Sequence, residues 1–422
     1  MEYTKDEPIV VTGMGLVSCL GHEVDPFYEA LLQGKSGISP LTYFPCEEYP
    51  TRFAGSIQPL DTENYLDKKQ ARRIDPCIRY AMVAGKKALD SAQFPRQLPS
   101  DLDPLRYGIL IGSGMGGMNV FYNGIETLLK EGFKRLTPFF VPYIITNMGG
   151  ALLSIDTGFQ GPNYSVSTAC ATASYAIELA AEHIRNGEAD LMVCGGAEAP
   201  LTPIGLAGFV AIKALSEENE TPQKASRPWD INRTGFVMGE GSAVLVLERL
   251  SHAIKRKAPI LAVYLGGALT SDAYHMTSPR EDGSGVAACI QKALQKTGVA
   301  KEKINYINAH ATSTPAGDMC EVAAIHQVFK EETAHIVMNG TKSMIGHTLG
   351  AAGAFGSIAT IKAIQTGLVH PTLNLENPEA GLGNLDPVIG KAKKHKVEVG
   401  LVNAFGFGGH NSCLLFAPYT GF

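Results

Sequence analysis

A chain of 422 residues is too long to form one small hydrophobic core, so its length predicts two or three domains or one large fused unit. Its composition, 45% hydrophobic and 18% charged, is typical of a compact globular protein. The net charge of −5 argues against a nucleic-acid-binding protein, which normally carries a basic excess.

Two further observations restrict the class of protein. The eight cysteines contain no C-x-x-C pair, so the sequence predicts neither a zinc site nor a disulfide framework and favours the reducing cytoplasm. The first residues, MEYTKDEP, lack an apolar signal segment. The most apolar long window, residues 191–212, is broken by Glu198, Pro200 and Pro203, so no membrane span is expected.

Apolar runs that end in glycine-rich turns predict four strands, at residues 8–15, 107–117, 189–199 and 399–409. Their continuous aliphatic and β-branched character suits strands buried on both faces of a sheet. Helix-like stretches alternate with these runs along the chain. The sequence therefore predicts an α/β architecture built in layers.

The chain also has a doubled pattern. Residues 164–196 and residues 337–367 share an order of parts, in which a strand and a turn of small residues precede a helix. Gly187 and Gly367 are predicted to terminate the two helices, and a matching strand follows each. We therefore expect two similar halves, residues 1–250 and 251–422, whose central helices begin at one shared site.

Two motifs in the first third of the chain have competing interpretations. The stretch DKKQARR (67–73) predicts a helix with a compact basic face, either ordinary solvated surface or a docking site for an acidic partner. GSGMGG (112–117) matches the G-x-G-x-x-G dinucleotide pattern after a strand, but no second strand ending in an acidic residue follows. We interpret this turn as a pocket wall. The four basic residues of the stretch DKKQARR are Lys68, Lys69, Arg72 and Arg73.

Cys170 lies among small residues in STACATAS (167–174), at the predicted start of a helix. A free cysteine is often simply buried in a core. At a helix N-terminus, however, the partial positive charge of the helix dipole favours a thiolate and is expected to lower the cysteine pKa. One face of the helix that follows is apolar: Ala173, Ala176, Ile177, Ala180 and Ile184.

Three motifs in the second half favour the interpretation of Cys170 as a nucleophile. NAHATSTPAGD (308–318) presents His310 beside several hydroxyls, and TKSMIGHTLGAAG (341–353) presents Lys342 and His347 at the predicted start of the second central helix. Two histidines, a lysine and a cysteine supply the groups that thiolate chemistry requires. In NAFGFGGHN (403–411), glycines free backbone N–H groups to face a developing oxyanion, while Phe405 and Phe407 are placed to gate a pocket.

Together these motifs resemble those of the β-ketoacyl-acyl-carrier-protein synthases, types I and II, of the thiolase-like superfamily. SRPWDINRTGFVMGEGS (226–242) and SDAYHMTSP (271–279) match the same family, and the resemblance covers nearly the whole chain. It implies a layered αβαβα fold of two similar halves and a homodimer. It also implies acyl-carrier protein as partner and substrates on a phosphopantetheine arm, with no metal or redox cofactor.

The resemblance also implies roles for individual residues. Cys170 would take the acyl chain as a thioester, while His310 and His347 would promote decarboxylation of malonyl-acyl-carrier protein and stabilise the enolate, so that the chain grows by two carbons. The N–H groups of Cys170 and Phe407 would hold the acyl oxyanion, with Lys342 supporting the site electrostatically. The expected substrate-binding residues are Thr312 and Thr314 on the pantetheine arm, and Met115, Phe209 and Phe405 around the acyl chain.

One position departs from the family pattern, and several alternatives stay open. Gly356 occupies a helix position where the family commonly has glutamate, which leaves the fine tuning of the site in question. A thiolase would need a second cysteine in the C-terminal glycine loop, whereas Cys413 lies beyond it, and a type III synthase would pair one histidine with an asparagine. A polyketide ketosynthase shares the catalytic set. A non-catalytic chain-length subunit and a dinucleotide-binding module are less consistent with these motifs.

Overall fold

Helices and strands alternate in the computed structural model, which describes residues 7–57, 59–62 and 64–421. The described helices are α1 (Val24–Leu32), α2 (Lys68–Arg73), α3 (Pro76–Ser91), α4 (Met118–Glu131), α5 (Phe140–Ile144), α6 (Met148–Thr157), α7 (Thr172–Arg185), α8 (Pro203–Ala211), α9 (Leu250–Lys255), α10 (Ser284–Thr297), α11 (Pro315–Phe329), α12 (Lys342–Ile345) and α13 (Ala352–Thr366). The described strands are β1 (Ile9–Val17), β2 (Ser39–Pro40), β3 (Phe53–Ala54), β4 (Tyr107–Gly112), β5 (Leu191–Glu198), β6 (Gly241–Arg249), β7 (Ala262–Ser271), β8 (Ile304–Asn308), β9 (Val337–Asn339), β10 (Leu368–Val369), β11 (Asp386–Pro387), β12 (Lys393–Lys394), β13 (Val399–Gly406) and β14 (His410–Ala417). The four strands predicted from glycine-ended apolar runs are β1, β4, β5 and β13.

Ten of the described strands form one sheet, in the order β11-β9-β8-β13-β14-β7-β1-β6-β5-β4. In the first half, β1 pairs antiparallel with β6, β6 antiparallel with β5, and β5 parallel with β4. In the second half, β7, β14, β13 and β8 repeat those orientations in the same order. The two sets join where Ile9–Val11 pairs with Ala262–Tyr264. This topology confirms that two similar halves build the fold.

Five layers follow from how the helices pack on this sheet. Helix α3 covers one outer face, on β1, β5 and β6, and helix α10 covers the other, on β7 and β14. Helices α7 and α13 lie between the two sets of strands and contact each other. The predicted apolar face of α7 is fully buried in this central layer. The fold is therefore the thiolase-like αβαβα arrangement.

The two central helices begin in matching ways. A short 3-10 turn precedes each helix, Ala169–Ala171 before α7 and Leu349–Ala351 before α13. The first residue of each turn has a positive φ, 48° at Ala169 and 46° at Leu349. Cys170 and Gly350 are therefore equivalent residues of two similar turns. The turns touch each other, as expected for helix starts that share one site.

Glycines in β1 have a different role from the one that the sequence suggested. The run at residues 8–15 was expected to end in a glycine turn, but β1 continues through both glycines to Val17. A Cβ atom at Gly13 would lie 2.1 Å from the carbonyl oxygen of Ala88, and one at Gly15 would lie 2.1 Å from that of Ala84. These glycines let α3 pack directly on the strand backbone.

The first strand of the doubled pattern, expected at residues 164–167, is not a strand of the sheet. This segment has no sheet partner in the described part of the chain. Only the preceding residue, Asn163, forms a single bridge, to Ile109. This segment is an extended lead into the 3-10 turn. The division of the chain near residue 250 stays a prediction.

The apolar window at residues 191–212 consists of β5 and α8, joined by a connection that contains Pro200. Within the ranges described above, no helix combines the length and the hydropathy that crossing a membrane requires.

Candidate active site

A cavity of about 400 Å³ brings the predicted residues of both halves together. The nucleophile candidate comes from the turn before α7, while the histidines come from loops after β8 and α12. The predicted residues that line the cavity are Cys170, Phe209, His310, Thr312, Thr314, His347, Phe405 and Phe407. Side chains separated by more than 200 positions in the sequence therefore share one site.

Cys170 is the middle residue of its 3-10 turn and is half-buried. The end of β13 presses against this turn, because Gly406 has no side chain. A Cβ atom there would lie 2.5 Å from the Thr168 carbonyl oxygen and 3.1 Å from the Cys170 nitrogen. This close approach brings the N–H groups of Phe407 and Cys170 to the Cys170 sulfur. The same two groups are the predicted oxyanion donors.

The electrostatics of Cys170 differ from expectation. Burial raises its pKa to about 12, and the Glu198 carboxyl adds to that effect. The Lys342 ammonium and the two backbone N–H groups act in the opposite direction without cancelling it. The prediction of a lowered cysteine pKa was therefore wrong, because desolvation outweighs the Lys342 charge and the backbone hydrogen bonds. The resting thiol is protonated and needs a proton acceptor before it can react.

His347 is held as a hydrogen-bond donor. Its Nδ1 accepts a hydrogen bond from the Leu349 N–H at 3.2 Å, so the ring proton of the neutral form is on Nε2. Burial, assisted by the Lys342 ammonium, lowers its pKa well below the ordinary histidine value. His347 is therefore a neutral imidazole that can donate a hydrogen bond to a negative oxygen.

His310 lies on a loop fixed by a buried carboxyl. The His310 and Ala311 N–H groups donate to the two oxygens of Glu321 at 2.9 and 3.0 Å. The His310 and His347 rings meet edge to face, with 5.5 Å between their centroids. Burial lowers the pKa of His310 well below its ordinary value, with further lowering from Lys342 and His347. Both histidines are thus neutral near pH 7 and can take part in proton transfer.

Lys342 links the two histidine loops. It is the first residue of α12, and its ammonium donates a hydrogen bond of 2.5 Å to the His310 carbonyl oxygen. Burial lowers its pKa to about 8, although Glu321, Cys170 and Asp318 favour the charged form. A positive charge thus lies beside the reacting groups at neutral pH. The sequence placed Lys342 at the start of the long helix, but α12 and the 3-10 turn precede α13.

The remaining predicted cavity residues surround these groups. The hydroxyls of Thr312 and Thr314 lie 2.9 Å apart, and a Cβ atom at Gly317 would crowd Thr314. The Phe405 ring packs edge to face on His310 at 5.2 Å. Phe407 is half-buried at the cavity wall. The arrangement places hydroxyls and aromatic rings around one cysteine.

The turn at residues 112–117 supplies none of the residues that line the cavity, so its role as a pocket wall stays a prediction. Met115, Phe209 and Cys170 pack against the same cluster of buried apolar residues. The turn amides have protein partners: Gly114 N–H and Met115 N–H donate to Glu198, and Gly116 N–H donates to Ser113. These N–H groups are occupied within the protein, which argues against a dinucleotide-binding loop.

The predicted basic face lies outside the cavity. It forms the six-residue helix α2, which Asp67 caps by accepting hydrogen bonds from the N–H groups of Lys69 and Gln70. All four basic side chains are exposed: Lys68, Lys69, Arg72 and Arg73.

Sequence reasoning missed the buried acidic residues that hold the site. Glu321 anchors the His310 loop, and Glu198, at the end of β5, reaches two other turns. A usable signal existed for Glu198, since it is the one acidic residue in the otherwise apolar strand β5. Charged residues are rarely fully buried unless they have a partner.

The fold and this Cys-His-His cavity define the class of thiolase-like ketosynthases. The chain matches the family models "Beta-ketoacyl synthase, N-terminal domain" over residues 6–253 and "Beta-ketoacyl synthase, C-terminal domain" over residues 261–376. It belongs to the beta-ketoacyl synthase family.

Individual relatives are similar over nearly their whole length. The chain is 57% identical to 3-oxoacyl-[acyl-carrier-protein] synthase I, chloroplastic, of Hordeum vulgare, covering 97% of this chain and 89% of that protein. It is 46% identical to 3-oxoacyl-[acyl-carrier-protein] synthase 2 of Vibrio cholerae, covering 97% of this chain and 98% of that protein. A beta-ketoacyl synthase structure from Burkholderia phymatum matches with a TM-score of 0.90 and 32% identity, covering 98% of this chain and all of that one.

A further solved structure contains a carrier protein. It is described as a type II PKS acyl-carrier protein in complex with its ketosynthase bound to the hexaketide. The match has a TM-score of 0.88 and 32% identity, and it covers 98% of this chain and all of that one.

Proposed function

We propose that the protein catalyses decarboxylative condensation of malonyl-acyl-carrier protein with an acyl group on Cys170, and so elongates fatty acyl chains by two carbons. The observation that carries the proposal is the shared cavity of Cys170, His310 and His347. A thiol, two neutral imidazoles and a nearby ammonium are the groups that acyl transfer and enolate stabilisation require.

The first half-reaction loads the enzyme. The Cys170 thiol gives up its proton to a neutral imidazole, and the thiolate attacks the acyl thioester of the carrier protein. The N–H groups of Cys170 and Phe407, which face the sulfur, stabilise the oxyanion of the tetrahedral intermediate. The carrier thiolate leaves and is protonated by the imidazolium, so acyl-Cys170 and the free carrier thiol are the products.

The second half-reaction extends the chain. The carboxylate of malonyl-acyl-carrier protein leaves as CO₂, and its bonding electrons form an enolate whose oxygen accepts hydrogen bonds from the imidazoles. Because His347 has its proton on Nε2, it is a donor without prior protonation. The enolate carbon attacks the acyl carbon and expels the Cys170 thiolate, which is then protonated. The electron pair comes from the C–C bond that breaks, so we propose that no metal or redox cofactor takes part.

Fatty acid elongation is favoured over polyketide synthesis by similarity. Relatives at 57% and 46% identity are named 3-oxoacyl-[acyl-carrier-protein] synthases, whereas the type II PKS ketosynthase is 32% identical. The catalytic cysteine and histidines disfavour a non-catalytic subunit. Elongation assays with acyl-carrier proteins of graded chain length, with mass detection of acyl-Cys170, test the proposal. Wild-type protein that neither acquires an acyl group on Cys170 nor releases CO₂ would contradict it.

We propose that acyl-carrier protein docks on the exposed basic face of α2. Four exposed cations on a protein of net charge −5 suit an acidic partner. Reversing all four charges should raise the KM for carrier-bound substrate. A matched control reverses four exposed lysines near β12 and should leave that KM unchanged: Lys391, Lys393, Lys394 and Lys396. An equal rise in both variants would indicate a general charge effect.

We propose a homodimer through the α4–α5 region. Neither helix has a fully buried residue, yet the region exposes large apolar side chains, with Leu129, Phe133 and Val141 exposed by 79%, 73% and 61%. A second copy of the chain would cover this surface. Light scattering should give about twice the 45.0 kDa chain mass. Leu129→Glu should shift the protein toward monomer, whereas Ile389→Glu at another exposed position should not.

We also propose a reducing compartment, the cytoplasm. All eight cysteines are free thiols, and seven of them are buried. Since the barley relative is named chloroplastic, cell fractionation decides between these two locations.

A further inference from the structure

Glu198 is a fully buried carboxyl that the condensation steps do not use. It is the last residue of β5 and is 0% exposed. Backbone N–H groups of Gly114, Met115 and Gly350 donate to it. Its second oxygen, Oε2, is buried and has no hydrogen-bond partner among the described residues. One carboxyl thus joins three backbone groups from two turns that are far apart in sequence.

The two turns have glycines where they approach the carboxyl. A Cβ atom at Gly114 would lie 2.9 Å from the Glu198 Oε1 atom, and a Cβ atom at Gly350 would lie 2.4 Å from it. The Gly350 Cβ position is also 3.0 Å from the Gly114 nitrogen. Any larger residue at position 350 would displace Glu198 or separate the turns.

Each of the two turns leads to a different group of the proposed site. The 112–117 turn carries Met115, which packs against the same apolar cluster as Phe209 and Cys170. The 349–351 turn carries the Leu349 N–H, which donates to His347 Nδ1 and sets the position of the ring proton. Glu198 is therefore one contact away from both Met115, which is expected beside the acyl chain, and the N–H group that holds His347.

We propose that Glu198 is a positioning residue, whose carboxyl ties the 112–117 turn to the 349–351 turn and so aligns the acyl-pocket wall and His347 around Cys170. This inference rests on the proposed condensing function. Burial raises the pKa of Glu198 to about 8, so the group is mostly uncharged at neutral pH. That state also suits the thiolate, because the charge of Glu198 is one of the contributions that raise the pKa of Cys170.

Three variants test the proposal, each isolated as folded protein by size-exclusion chromatography and assayed per mole of that protein, so that unfolded protein is not counted. Glu198→Ala should lower kcat by about 10- to 100-fold and change the range of acyl chain lengths accepted. In Glu198→Gln, the side-chain amide oxygen can accept hydrogen bonds from the same N–H groups. This variant should therefore retain most of the activity and the wild-type chain-length profile.

The matched control is Glu240→Ala. Glu240 is also a buried carboxyl, 2% exposed, and accepts hydrogen bonds from the Ile57 N–H and the Tyr43 hydroxyl outside the cavity. Its loss should lower the melting temperature while leaving kcat per mole of folded protein and the chain-length profile unchanged.

Two outcomes would overturn the proposal: Glu198→Ala behaving like Glu240→Ala, or Glu198→Gln being as impaired as Glu198→Ala. Failure of the proposed function is a separate result, because it would appear as a lack of condensation in the wild-type protein.

Discussion

The Lys342 ammonium donates a 2.5 Å hydrogen bond to the backbone carbonyl oxygen of His310. This contact joins the loop after β8 to the start of α12, and it fixes a positive charge next to Cys170 and both imidazoles. Burial keeps the histidines neutral, and the Lys342 charge adds to that effect while favouring the thiolate of Cys170. One cation thus influences all three reacting side chains.

Activity should depend on the charge of Lys342. Its pKa is lowered to about 8, so the ammonium is present below that pH and is lost as the pH rises through it. We expect kcat to fall on the alkaline side of about pH 8. Lys342→Met should lower kcat by about 100-fold and remove this alkaline limb. If kcat of the variant still falls on the alkaline side of about pH 8, a group other than Lys342 causes the fall.

Loss of the thiol should separate the two half-reactions. Cys170→Ala cannot form the acyl thioester and should abolish condensation. In Cys170→Gln, the side-chain amide carbonyl can occupy the oxyanion position beside the Phe407 N–H, so decarboxylation of malonyl-acyl-carrier protein should persist. Release of labelled CO₂ and product mass measure the two activities separately. Full condensation by the alanine variant would refute the mechanism.

The anchor of the His310 loop should contribute strongly to stability. Glu321 accepts hydrogen bonds from two backbone N–H groups and from the Asn403 amide. Glu321→Ala leaves these buried donors without partners, so we expect the free energy of unfolding to fall by at least ~2 kcal/mol. Denaturant titration measures the loss. Glu321→Gln retains acceptor oxygen and should lose less; an equal loss would argue against this role of the carboxyl.

Gly356 should not tolerate even a methyl group. It lies inside α13, where a Cβ atom would be 2.6 Å from the Asn308 Oδ1 atom. Overpacking at such a site costs ~1–3 kcal/mol, which opposes the ~1 kcal/mol gained in helix propensity. The control is Gly208→Ala in α8, where a Cβ atom has nothing within 4 Å. We expect a lower melting temperature for the first variant and an equal or higher one for the second.

The sequence predicted those parts of the fold that depend on local pattern. Apolar runs located β4, β5 and β13, and the spacing of Ala173 to Ile184 predicted the buried face of α7. The role of Gly13 and Gly15 was not predictable from the sequence, because it depends on α3, which lies more than 60 residues away.

For the site, too, local motifs were informative and long-range contacts were not predictable from the sequence. Motifs identified the side chains that line the cavity, but the pKa of Cys170 depends on burial by residues from both halves, so local helix-dipole reasoning gave the wrong sign. The anchoring roles of Glu198 and Glu321 were missed because most of their partners are backbone N–H groups, which sequence motifs do not reveal.

The two 3-10 turns that begin α7 and α13 use one backbone geometry for opposite purposes. At Cys170 the turn offers its amide to the reacting sulfur, whereas at Gly350 the amide is already bound to Glu198. A side chain at position 350 would overlap that carboxyl. The internal duplication therefore yields an asymmetric enzyme, in which each chain has room for one nucleophile and its symmetry-related position serves as scaffold.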